Sequence, residues 1–116
     1  MDSNEKEMLV QNGFDVDGAM HRFLNNEALY KKCMRKYLDD TNFDDLIAAV
    51  NEGNCNEAFK AAHTMKGFVS NLGIDCLYHI LIPMVDKLRV QDMNIADELK
   101  VLEEVHKRTY KIIETL

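Results

Sequence analysis

The stretch Asn54-Cys55-Asn56-Glu57-Ala58-Phe59-Lys60-Ala61-Ala62-His63-Thr64-Met65-Lys66-Gly67-Phe68-Val69-Ser70-Asn71-Leu72-Gly73 decides the fold class. Within it Cys55, Ala58, Phe59, Ala62, Met65, Val69 and Leu72 recur at intervals of three and four, which lays one apolar stripe along a helix and leaves the opposite face polar. Asn54 followed by Glu57 has the form of a capping box at the start, and Gly73 is a stop at the end.

Working outward, Asp75 is placed to cap a helix with the stripe Leu77, Ile80, Leu81, Met84 and Leu88. Pro83 removes one backbone donor from it, which predicts a bend near His79 to Pro83. From Asn94 onward Ile95, Leu99, Leu102, Val105, Thr109, Ile112 and Leu116 point inward, with Asp97 and Glu98 early and Lys107, Arg108 and Lys111 late, the order that suits a helix dipole. Upstream, Asp15 is positioned to cap a short helix bearing Val16, Met20, Phe23 and Leu24, and Asn25-Asn26 supplies a turn and a new cap. The pairs Leu29/Tyr30, Cys33/Met34 and Tyr37/Leu38 predict a helix over 27–38, and Phe43, Leu46, Ile47 and Val50 another ending at Gly53. Asp39-Asp40-Thr41-Asn42 reads as a break between them, although one kinked helix over 27–51 fits the same pattern.

No segment alternates like a strand, and short polar turns between long helices favour antiparallel neighbours. The expected architecture is an all-α antiparallel four-helix bundle with a short N-terminal helical cap. One domain over 1–116 follows from the length, with 1–12 flexible or loosely attached.

Composition narrows the function classes. The formal charge is −6, and the 14 basic residues are spread through helices that carry more acids, so no stripe exists to follow a nucleic-acid backbone. Cys33, Cys55 and Cys76 contain no CxxC pair and read as reduced core thiols. The acidic start, Met1-Asp2-Ser3-Asn4-Glu5, lacks an apolar leader, and no run approaches the roughly 18 apolar residues of a membrane span. A monomer in the cytoplasm is the expectation. No GxxxxGK[ST] loop is present, and no two histidines stand at the i, i+4 spacing of a helical metal site, so neither nucleotide nor metal binding is assigned. His21, His79 and His106 are given ordinary surface or boundary roles.

At about 100° per residue, His63 falls off the apolar stripe and into solvent, with Lys60, Gly67 and Ser70 on the same flank. An exposed neutral imidazole offers a free ring nitrogen that can attack an activated phosphoryl group. Lys66, at i+3, is placed to offset the added negative charge. Gly67, at i+4, costs the helix about 1 kcal/mol relative to alanine, so clearance for an approaching partner is a reason for it. Phe68 falls at the opposite edge of the stripe, where it packs on a neighbouring helix.

Ala62-His63-Thr64-Met65-Lys66-Gly67, continuing Ser70-Asn71-Leu72-Gly73, resembles the HxxKG signature and downstream NLG of histidine phosphotransfer domains. Gly13-Phe14-Asp15, Arg22-Phe23 and Leu29-Tyr30 are similar to the family's N-terminal pattern, and Glu52-Gly53-Asn54 to its turn before the active helix. The chain departs from the pattern at Phe68 and Val69, which are bulkier than usual, at Val85 in place of a common glutamate, and at Pro83. The resemblance implies that His63 is the phosphoacceptor, Lys66 the support for the phosphoryl charge and Gly67 the clearance for a partner. Lys60 and Ser70 are the candidate docking residues. It also implies a phosphorelay in which a response-regulator receiver domain or sensor histidine kinase exchanges phosphate with this chain. The receiver supplies Mg²⁺ and the activated phosphoaspartate, so this chain is a carrier rather than an enzyme and binds no cofactor of its own. Two other classes stay open: a docking or regulatory module that carries no phosphate, and a helical metal or haem protein.

Overall fold

A computed structural model describes residues 1–116, and every regular element in it is helical. The helices are α1 (Ser3–Gln11), α2 (Val16–Arg22), α3 (Glu27–Arg35), α4 (Asn42–Asn51), α5 (Cys55–Asn71), α6 (Asp75–Arg89) and α7 (Ala96–Glu114), with a 3₁₀ turn at Lys36–Asp39. The molecule is elongated, 44 × 23 × 22 Å, because the last three helices are long and lie side by side.

Cross-helix contacts fix the directions. The Cys55 thiol donates to the Leu88 carbonyl (3.5 Å) and Gln91 to Asn56 (3.3 Å), so the start of α5 meets the end of α6. Lys87 pairs with Glu98 at 3.0 Å, while Cys76 lies beside Thr109, so α6 and α7 are also antiparallel. α4 packs along the other flank of α5, and α3 with the 3₁₀ turn leans on α7. Ala58, Ala62, Met65, Val69 and Leu72 of α5 meet Leu77, Leu81, Met84, Val85 and Leu88 of α6 in one buried cluster.

Local chemistry accounts for most boundaries. Asp15, Asn26 and Asn54 each accept a backbone N–H three residues on, from Gly18 (3.1 Å), Leu29 (3.0 Å) and Glu57 (3.1 Å). Only half of the capping box forms at Asn54, because the Glu57 carboxylate turns to Lys60 (3.4 Å). Asp40 in extended backbone separates α3 from α4, and its carboxylate accepts from the Asn42 backbone (3.2 Å), so 27–51 is two helices.

Several expectations are corrected. Asp75 does not cap α6; the residue before the helix is Ile74, and the free Cys76 N–H donates to the Gly13 carbonyl at 2.9 Å. Leu24 belongs to no stripe: it sits at φ +55 in the turn after α2 and is 88% exposed. Leu29 is exposed, while Tyr30, Met34 and Tyr37 supply the buried face of that segment. In α7, Ile113 rather than Ile112 is fully buried. Residues 1–12, expected to be loosely attached, contain α1, with Leu9 fully buried and Glu5 paired with Lys31 at 2.7 Å. α6 is continuous over Asp75–Arg89, with Pro83 inside it on the exposed face. The three cysteines are free and half-buried.

The end of α5 is held by the N-terminal segment. Arg22 donates to the carbonyls of Asn71 (3.1 Å) and Ser70 (3.0 Å), the Tyr30 hydroxyl to that of Leu72 (2.8 Å), and the Asp15 N–H to that of Gly73 (2.7 Å). These are carbonyls a helix end leaves without intrahelical partners. Gly73 sits at φ +72, and a Cβ there would lie 2.6 Å from the Asp15 carbonyl oxygen. Gly73→Ala is therefore expected to cost about 2 kcal/mol or more. Gly53→Ala, at φ +68 but with nothing within 4 Å of the new carbon, should cost only about 1 kcal/mol. Urea unfolding of the two variants side by side checks the difference.

Candidate functional site

α5 carries every residue singled out from the sequence. His63 is exposed, on the face opposite Ala58, Ala62, Met65 and Val69, and neither ring nitrogen has a hydrogen-bond partner in the protein. Its ring lies nearly parallel to that of Phe59, one turn earlier, with centroids 5.5 Å apart and 16° between planes. The imidazole is thus steadied by a stack, with its nitrogen-bearing edge left free.

Lys60 and Gly67 share the exposed face with His63, while Lys66 and Ser70 are half-buried at its border. Lys60 is engaged with Glu57 at 3.4 Å, whereas the Lys66 ammonium has no carboxylate within 4.0 Å. An unpaired cation one turn from the imidazole is available to an incoming anion. A Cβ built on Gly67 would meet nothing within 4 Å. The fold itself therefore gives no steric reason for glycine there. The Ser70 carbonyl is bonded to Arg22, which ties this end of the face to α2.

Two parts of the site were not singled out from the sequence. Phe59 was assigned wholly to the apolar stripe, although its i−4 offset from His63 was visible and allowed a stack. Arg89, whose guanidinium carbon is 5.6 Å from the Phe59 ring centre, comes from the far end of α6, so only the folded hairpin brings it near. Phe68 packs 6.3 Å from Tyr37, centre to centre, which agrees with its place at the opposite edge. Val85 is fully buried and serves the core. Beside the exposed face, α4 and α5 leave an open groove of 340 Å³ bordered by Asp45, Glu52, Glu57, Lys60 and Thr64.

Of the other histidines, His21 and His79 are exposed. His106 is half-buried at the edge of the core. It stacks on Phe43 (4.2 Å, 22°), its Nδ1 meets the Tyr37 hydroxyl, and Tyr110 stands edge-on. Burial pushes the Tyr37 phenol well above its usual range, so it stays protonated and donates to the neutral ring. Burial also lowers the His106 pKa, with Lys107 adding to the shift and Asp44, Asp40 and Glu103 opposing it. No group of three or more histidine, cysteine, aspartate and glutamate side chains is arranged to hold a metal ion, and no helix is long and apolar enough to cross a membrane.

Comparison of the chain with protein-family models, with curated proteins and with solved structures found no match.

The His106 environment sets a pH dependence. Its folded pKa lies below the unfolded value, so the unfolded chain takes up the proton first as the pH falls. Its contribution to stability is undiminished above about pH 6.5 and declines as the pH drops through that value toward the folded pKa. Melting curves at about pH 7.5 and about pH 5.5 should show a smaller loss of stability in His106→Gln than in the wild type.

Proposed function

We propose that this chain is a histidine-containing phosphotransfer protein of a two-component phosphorelay. It accepts a phosphoryl group on His63 from a receiver-domain aspartate or a sensor kinase and passes it on. The observation that carries the reading is the grouping on α5 of an exposed imidazole with both nitrogens free, an unpaired Lys66 and open space over Gly67. The match of Ala62 to Gly67 and Ser70 to Gly73 with the family pattern supports it. On this reading α4 to α7 form the antiparallel four-helix bundle, and α1 to α3 close one end. The chain works in the cytoplasm as a monomer.

In the transfer, one ring nitrogen of His63 uses its lone pair to form the N–P bond while the P–O bond to the receiver aspartate breaks. The carboxylate leaves with that electron pair, and the imidazole sheds its other N–H proton to solvent. A loose transition state of this kind needs in-line placement and charge stabilisation rather than elaborate covalent machinery. The receiver supplies Mg²⁺ and the activated acyl phosphate. This chain supplies a fixed imidazole and, from Lys66, a cation for the phosphoryl oxygens. Lys60 and Ser70 flank the contact area.

Incubation with phosphorylated receiver domains or kinases of the source organism is expected to place an acid-labile, alkali-stable label on the wild type and none on His63→Gln. No label from any competent donor would leave the phosphate-free docking module as the better reading. Gly67→Ala separates the fold from the partner. The methyl group enters open space on a helix, so stability should rise by about 0.5–1 kcal/mol. Transfer from a receiver should slow at the same time, and a variant both more stable and equally fast would remove the clearance role.

A further inference from the structure

We propose that Phe59 is a positioning residue for His63, held in turn by Arg89, so that a three-residue stack from α6 to α5 sets the direction in which the imidazole presents its reactive edge. The proposal rests on the phosphotransfer reading and adds to it what orients the acceptor.

His63 is exposed and makes no hydrogen bond within the protein. Such a side chain ordinarily samples several staggered rotamers, and only one of them points a ring nitrogen along a given line of attack. The Phe59 ring, nearly parallel at 16° and 5.5 Å from the imidazole centre, selects among them without occupying either nitrogen. A hydrogen bond would fix the ring as well, but at the expense of a nitrogen. A stack restrains the flat face and leaves the edge, where the lone pair lies, directed to solvent.

Phe59 is itself anchored from two sides. Its ring is half-buried against the core, and the Arg89 guanidinium stands 5.6 Å from the ring centre, at cation–π distance. Arg89 is also paired with Asp86, whose carboxylate accepts from Nη1 at 3.2 Å. The exposed end of α6 thereby bears on the acceptor without touching it.

A small phosphodonor separates this role from partner docking. With phosphoramidate, a His63 nitrogen forms the N–P bond as the P–N bond breaks, ammonia leaves with the electron pair, and the ring loses its other N–H proton to water. Confining about three χ1 wells and two ring orientations to one predicts a roughly three- to sixfold slower rate of phosphohistidine formation in Phe59→Leu. Phe59→Tyr, which restores the stack, should recover the wild-type rate. The His63 ring protons of the wild type should be shifted upfield by the Phe59 ring current in the proton NMR spectrum. That shift should vanish in Phe59→Leu and persist in Phe59→Tyr, a signature that a merely structural contribution to the core would not give. Arg89→Gln, an exposed change that leaves the core intact, should reduce both shift and rate if Phe59→Leu fails to fold. An unshifted His63 in the wild type, a Phe59→Leu rate equal to wild type, or a Phe59→Tyr as slow as Phe59→Leu overturns the proposal. Failure to phosphorylate the wild type with any donor would sink the phosphotransfer reading itself, and the NMR shift would then report the stack without a role.

Discussion

The C-terminal end of α5 is the joint on which the molecule depends. Four successive carbonyls, Ser70 to Gly73, each accept from a group in the first thirty residues: two bonds from Arg22, one from Tyr30 and one from Asp15, with Ser70 also accepting from the Gly73 N–H. The Tyr30 bond is buried, so losing it would leave a carbonyl desolvated and unpaired, which is costlier than losing an exposed bond. The return bond from Cys76 to the Gly13 carbonyl extends the same joint to the first turn of α6. One short loop therefore sets the end of α5, the start of α6 and the seat of the N-terminal helices together.

With its end fixed, α5 can present a face rather than merely fill a core. Its inner residues lock into α6 and α4, which determines the rotation of the helix about its axis and so the outward direction of His63. The chemistry there is economical. An imidazole with both nitrogens free, a lysine without an acidic partner and a glycine over open space are each ordinary alone. Together they make an exposed face beside the open groove between α4 and α5. Hydrophobic packing is delegated to residues behind the face, Val85 and Met65 among them.

Much of this was legible in the residues because helical periodicity and N-caps are local signals. The stripe of α5, the caps at Asp15, Asn26 and Asn54, and the exposure of His63 all follow from neighbours within four positions. What escaped detection is non-local or serves two purposes. Asp75 looked like a cap, yet it is the first residue of α6: the Leu77 and Tyr78 N–H groups go to the Ile74 carbonyl, while the Gly13 carbonyl, distant in sequence, takes the Cys76 N–H. Leu24 looked like a member of a stripe, but the turn after α2 needs two residues at positive φ, and neither is glycine. Phe59 fitted the core pattern so well that its other ring face went unread, and Arg89 reaches it only after α5 and α6 have paired. His106 found Tyr37 at a separation of 69 residues, which no periodicity encodes.

The bonds at the end of α5 also bear on the order in which the molecule comes together. Arg22 and Tyr30 reach across separations of 48, 49 and 42 residues, so closing them carries the entropy of a long loop, while α5 and α6 meet through a hairpin of a few residues. The helix that bears His63 is therefore secured at its far end by bonds that each close a loop of more than forty residues.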